Sequence, residues 1–214
     1  MAPEQRIRKQ LPILKEHYVG AKIALQYKTP LDLLVATILS AQCTDVRVNI
    51  VTKELFKKYK RAQDYAGAVP KVFKQEIRST GFYRNKAKNI IAMAKMLVEK
   101  HGGKVPRMME ELIELPGVAR KTANCVLNAA YGIQEGIVVD THVLRVTRRV
   151  GLTRNTDAVK VELDLMKLVP KEDWGTFSFM VQAHGRQICV ARNPKCEICP
   201  FNKVCPSAYI AKRE

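Results

Sequence analysis

The sequence predicts an all-α protein, and three observations predict it. Apolar residues recur at helical spacing along most of the chain, most clearly over residues 84–101. Helix starts and stops are marked by Thr-Pro, Pro-Gly and Gly-Gly pairs at intervals that suit short helices. Only residues 136–139 look extended, and one short run cannot build a sheet.

Thr29-Pro30 reads as a cap followed by proline at the first helical position, opening an apolar helix through Ala41. Asp45 is a candidate cap for the next helix, through Tyr59. A helix fits residues 71–79. Over 84–101, Ala87, Ile90, Ile91, Ala94, Leu97 and Val98 form one apolar stripe. Lys86, Lys88, Lys95 and Lys100 lie mostly off it, and Gly102-Gly103 ends the helix. Further helices fit 108–114, 120–131, 142–150, 157–169 and 174–189. There is no repeat, no low-complexity segment and no long Gly/Ser linker. If the chain forms two lobes they pack tightly, and a cleft between them is the natural place for a site.

Composition narrows the function classes. Hydrophobic residues make up 47% of the 214, enough for a globular protein with a real core. Lys and Arg number 37 against 20 Asp and Glu, a formal net charge of +17. That surplus favours a polyanionic partner, nucleic acid first and an anionic membrane second. The N-terminal residues include no apolar core of a secretory signal, and the longest charge-free apolar run, 33–43, is too short for a bilayer. A cytoplasmic protein is expected, with no membrane partner.

Of six cysteines, four are spaced Cys189-x6-Cys196-x2-Cys199-x5-Cys205. In a reducing compartment such a cluster points to one soft metal centre rather than disulfides. Zinc and an iron–sulfur cluster both accept four thiolates, and the spacing does not choose between them. The longest loop between these cysteines carries Arg192 and Lys195, which suits either phosphate contact or a solvated charged loop.

The central segment reads Leu115-Pro116-Gly117-Val118-Ala119-Arg120-Lys121-Thr122. Pro-Gly marks a tight turn between helices, Gly117 lets the backbone approach a ligand, and the helix N-terminus beyond favours an anion such as a DNA phosphate. Lys121 lies in the first turn of that helix, where the dipole and Arg120 disfavour a second positive charge. It is a candidate amine nucleophile or a phosphate-binding lysine. Asp140, after Val138-Val139 and before Thr141-His142, is a helix cap, a functional carboxylate, or both.

Together these residues resemble the endonuclease III branch of the helix–hairpin–helix DNA glycosylases. The matching pieces are LPGVARKTAN (115–124), VDTHVLRV (139–146), LSAQCTDVRVN (39–49), GFYRNKAKNI (81–90), HGR (184–186) and the cysteine cluster. The resemblance implies two helical lobes with a DNA cleft between them. One is a six-helix lobe over 23–133 ending in the hairpin; the other combines 1–22 with 134–214 and holds a [4Fe–4S] cluster on Cys189, Cys196, Cys199 and Cys205. It implies a monomeric, nucleoid-associated enzyme of base excision repair. Its partner would be double-stranded DNA containing damaged bases or abasic sites, with the damaged nucleotide flipped out. Lys121 would attack C1′ and Asp140 would orient or deprotonate it. A strand break by β-elimination would follow, on oxidised pyrimidines such as thymine glycol and on abasic sites. Gln42 would fill the space of the lost base and Phe82 would wedge into the stack; ordinary core packing is the alternative for Phe82. Tyr83, Leu115, Gly117, Val118, Ala119, Arg120, His142, Arg192 and Lys195 would contact DNA. The adenine-specific branch generally has Ser at the lysine position and a longer C-terminal extension; here Lys121 is present and the sequence stops at Glu214.

Two departures stand out. The family hairpin often reads Gly-Val-Gly, whereas position 119 is Ala, whose methyl calls for a helical rather than left-handed backbone. Phe82 replaces an expected Leu, a bulkier wedge whose stacking would favour particular opposite bases. Cys43 reads as a small buried hydrophobe, with a redox role as the alternative. A DNA-binding module without chemistry would require neither Lys121 nor Asp140.

Overall fold

The computed structural model describes residues 1–210, and every regular element among them is helical. The chain divides into two compact units, one of residues 1–22 with 134 onward, the other of 23–133.

The first unit contains α1 (Pro3–His17), α9 (Thr141–Arg149), α10 (Ala158–Leu168) and α11 (Trp174–Gln187). The second contains α2 (Pro30–Leu39), α3 (Asp45–Lys58), α4 (Ala62–Ala66), α5 (Pro70–Glu76), α6 (Tyr83–His101), α7 (Met109–Glu114) and α8 (Arg120–Val126).

In the second unit α2 is apolar on every side, so it lies wholly inside: Leu33, Leu34, Val35, Ala36 and Leu39 are fully buried. The Thr29 hydroxyl accepts from the Asp32 N–H at 3.1 Å while the Asp32 carboxylate accepts from the Thr29 N–H at 3.0 Å, a reciprocal cap. The α6 stripe packs on α2, α4 and α5 through Ala87, Ile90, Ala94 and Leu97. Against the expectation for a polar-side residue, Lys86 is buried with them. The segment after α8 widens into a π-helical turn, Leu127–Tyr131, instead of continuing as α-helix.

The first unit is built round α11, which packs on α9 and α1. Gly185 makes the α9 approach close: a Cβ there would lie 3.0 Å from His142 Cβ and 3.1 Å from Val146 Cγ2. Residues 136–139 form no strand. Ile137, Val138 and Val139 are all buried, which accounts for their β-branched character without a ladder. Helix α1, for which the sequence draws no element, carries Pro12 in its interior yet buries Ile7, Leu11 and Leu14 at i, i+4, i+7.

Some boundaries differ from expectation. Thr44, not Asp45, caps α3, its hydroxyl accepting from the Arg47 N–H at 3.3 Å. Asp45 is the first helical residue, where its charge favours the dipole instead. Helix α5 stops at Glu76 and hands over to a 3-10 turn, Arg78–Thr80; α2 stops at Leu39 and α11 at Gln187.

Candidate functional site

Between α7 and α8 the chain turns within five residues, closed by the Val118 N–H donating to the Leu115 carbonyl at 3.0 Å. Gly117 holds φ at +80°, and a Cβ there would sit 2.8 Å from Asn89 Cβ. Strain and clash coincide, so Gly117→Ala is expected to destabilise the protein by roughly 1–3 kcal/mol, read as a lower denaturant midpoint at unchanged slope. Ala119 is neither helical nor left-handed. It is the N-cap of α8 at φ −94°, ψ 168°, extended backbone that a methyl tolerates, so its departure from glycine costs the turn nothing. Leu115 and Val118 are buried, which leaves only their main chain for an outside ligand; Arg120 and Lys121 are exposed in the first turn of α8.

The same unit brings three of the expected DNA-contacting residues together. Gln42, Phe82 and Gly117 line one pocket with Ile38, Ala41, Asn85, Lys86 and Asn89. Gln42 and Phe82 both have left-handed backbones, at φ 52° and 46°. Phe82 is 64% exposed, which removes the core-packing reading for it. Tyr83 is half-buried against the unit's core, with the Arg84 guanidinium 5.7 Å from its ring centre. Cys43 is partly buried against that core.

Asp140 belongs to the other unit and caps α9: one carboxylate oxygen, Oδ1, accepts the N–H groups of His142 at 2.9 Å and Val143 at 2.8 Å. The cap itself does not use Oδ2. His142 packs behind it, and burial holds its imidazole below the ordinary range, with neighbouring Asp140 opposing the shift and Arg145 adding to it.

All four clustered cysteines line one cavity, with Arg149 and His184. Burial pushes the Cys199 thiol up to about 11, and the neighbouring thiols add to the effect; burial also pushes up Cys205. Several thiolates crowded in a desolvated cavity are stable only around a cationic centre, so the donor set fits a soft metal group. Among the described residues no three His, Cys, Asp or Glu groups converge on a position for a single ion. Arg149 Nη1 donates to Cys189 Sγ at 3.7 Å, and His184 Nε2 lies 3.8 Å from Cys199 Sγ. The buried His184 ring is fixed from its other side by the Tyr18 hydroxyl, 2.8 Å from Nδ1, and packs beside Phe201. Tyr18 and Arg149 have no role in the sequence reading, since nothing local to residue 18 or 149 signals the cysteines.

The loop between Cys189 and Cys196 is pinned by the Lys195 N–H donating to the Ile188 carbonyl at 3.0 Å. Arg149 adds bonds to the Val190 and Ala191 carbonyls at 2.7 and 2.9 Å. Arg192 and Lys195 project from it exposed.

Comparison with known proteins is consistent with this arrangement. Residues 35–171 match the model of the HhH-GPD superfamily base excision DNA repair protein, and residues 189–205 match the iron–sulfur binding domain of endonuclease III. The chain is 53% identical to endonuclease III of Synechocystis sp. over 96% of its length and 94% of the relative's. It is 50% identical to endonuclease III of Bacillus subtilis over 86% of its length and 84% of the relative's. Among solved structures, a non-covalent endonuclease III–DNA complex is 43% identical, with a TM-score of 0.95 and full coverage of both chains. A trapped endonuclease III–DNA covalent intermediate is 44% identical, with a TM-score of 0.93, covering 97% of this chain and 98% of that one. No helix among the described residues is long and apolar enough to cross a membrane.

Proposed function

Because the chain belongs to the endonuclease III family of the HhH-GPD base excision repair superfamily, we propose that it is a bifunctional DNA glycosylase and abasic-site lyase with Lys121 as nucleophile and Asp140 as its partner. Base excision repair glycosylase activity on DNA follows from the family. The nucleophile and lyase assignment is carried by one observation: an exposed primary amine in the first turn of α8, directly after the strained turn that shares a pocket with Gln42 and Phe82.

In this reading Lys121 Nζ attacks C1′ of the damaged nucleoside, the C1′–N bond breaks and the base departs. The C1′–O4′ bond then opens, with O4′ taking up the proton that the amine gives up, which leaves a Schiff base at C1′; loss of a C2′ proton expels the 3′-phosphate by β-elimination and cuts the strand 3′ to the site. Asp140 orients or deprotonates Lys121 and offsets positive charge developing on the sugar. A structure 44% identical is a trapped endonuclease III–DNA covalent intermediate, and a covalent route of this kind supports the reading. The substrates proposed are oxidised pyrimidines of the thymine glycol type and abasic sites in duplex DNA, bound by a monomer. The helix-capped hairpin through Gly117, Ala119 and Arg120, together with Arg192 and Lys195, would hold phosphates; His142 would support the DNA side of Asp140.

Cys189, Cys196, Cys199 and Cys205 would hold a [4Fe–4S] cluster. Four thiols that share one cavity, in a segment similar to an iron–sulfur binding domain, support such a centre over zinc. Bound there, the cluster would tie the phosphate-contacting loop to the body of its unit.

The deciding experiment is borohydride trapping on a lesion panel. The expected result is a covalent protein–DNA complex with oxidised pyrimidines; a protein that binds DNA with ordinary salt sensitivity but traps and cuts nothing is a binding module instead. Asp140→Asn separates chemistry from folding. Asn caps helices about as well as Asp, so thermal stability should hold, while single-turnover excision falls by on the order of 10²–10⁴-fold. Full activity in that variant removes Asp140 from catalysis.

A further inference from the structure

Lys86 is only 5% exposed, although it is a lysine on a long surface helix. Its Nζ donates to two main-chain carbonyls, that of Leu39 at 2.7 Å and that of Thr80 at 2.8 Å. Both carbonyls are helix ends. Leu39 is the last residue of α2, and Thr80 the last residue of the 3-10 turn before α6. Such terminal carbonyls lack an intrahelical partner, and a cation is the strongest group that can satisfy them.

Each carbonyl leads directly into a strained loop. Three residues beyond Leu39 comes Gln42, and two beyond Thr80 comes Phe82, both held with left-handed backbones that are costly for non-glycine residues. Conformations of this kind persist where the surroundings over-determine them. One buried ammonium is the common root of the two strained loops, and the three residues share a single pocket wall. Burial pulls the Lys86 amine below its ordinary range, so the ammonium is retained by its acceptors, not by solvent.

We propose that Lys86 is a positioning residue that locks the Gln42 loop and the Phe82 loop to one root, so that both side chains enter the duplex as a unit and the damaged nucleotide is extruded efficiently. This rests on the reading that Gln42 and Phe82 enter DNA. It assigns Lys86 no part in the chemistry at Lys121. A lysine serving only as a stability strut would affect every activity alike; a lysine serving the two loops affects only what requires opening a stacked duplex.

The test uses the full chain with its cluster, as Lys86→Met, which keeps most of the stem and removes the donors. Two single-turnover rates are compared: excision of an oxidised pyrimidine from a duplex, and cleavage of an abasic site in a single strand, where there is no stack to enter. The expected result is a 10- to 100-fold loss on the duplex, roughly the range that misplacement of a positioned group produces, with single-strand cleavage within about twofold of the wild type. In a background carrying Gln42→Ala and Phe82→Ala the further loss from Lys86→Met should shrink to about twofold or less, because the lysine acts through those side chains. Equal losses on both substrates, or an undiminished loss in the doubly substituted background, overturn the proposal.

If Lys86→Met does not fold, hydrogen exchange on the wild type decides. Residues 40–43 and 80–83 should gain protection together on binding a lesion duplex, and protection of one segment without the other overturns the proposal. A wild type that cuts abasic single strands but excises nothing from any lesion duplex overturns the proposed substrate class, and the exchange arm on abasic duplex still tests the lock.

Discussion

Lys121→Gln is expected to abolish the borohydride-trappable complex and to lower base excision and strand cleavage by on the order of 10³-fold or more, the scale on which loss of a covalent nucleophile is felt. The side chain is exposed in the first turn of α8, so the substitution empties no cavity and should leave stability within about 1 kcal/mol of the wild type. Binding to lesion duplex should weaken only modestly, because one cation among many is removed. Normal trapping by Lys121→Gln would refute the lysine assignment and leave Lys121 as a phosphate contact. The pairing with Asp140→Asn is informative: the first variant should bind without any covalent product, the second should form it slowly.

The second large effect concerns the cysteines. Residues 189–205 contain one short helical element, the 3-10 turn Cys196–Ile198, and are otherwise held by loop hydrogen bonds such as Asn202 N–H to the Cys199 carbonyl at 3.0 Å. A segment with so little regular structure depends on its ligand for order. Cys196→Ser, at a buried position, is therefore expected to lose iron and sulfide and to destabilise its unit by on the order of 3–5 kcal/mol, the range in which loss of a metal site falls. Visible absorbance and limited proteolysis near residue 190 check this. A wild-type protein that is colourless and carries zinc would overturn the iron–sulfur assignment, and a Cys196→Ser protein that stays coloured and protease-resistant would overturn the structural role.

The features under test differ greatly in legibility. The four-cysteine spacing, the Pro116-Gly117 turn and the Thr29-Pro30 cap are local, and each can be read from a few adjacent residues. The all-α class is equally legible, because helical periodicity repeats along the chain. The positions of helix ends are less so. Helix α2 ends at Leu39 rather than Ala41, and Thr44 displaces Asp45 as the cap of α3, because the exact ends depend on which terminal carbonyls and N–H groups find partners outside the helical ladder. Helix α1 escapes a sequence reading because Pro12 masks a stripe of only three apolar residues whose partners lie more than a hundred residues away.

By itself, then, the sequence determined the helical class, the metal-type cysteine spacing and the hairpin with its lysine, since each depends on short-range backbone preference or spacing. Tertiary structure alone decided that Ala119 is an extended cap, that Phe82 is exposed, that Tyr18 reaches His184, and that Lys86 is an interior group. The reason is physical. A lysine's residue type says water, and only folding brings carbonyls 47 and 6 residues away within reach of the same ammonium and makes its burial favourable.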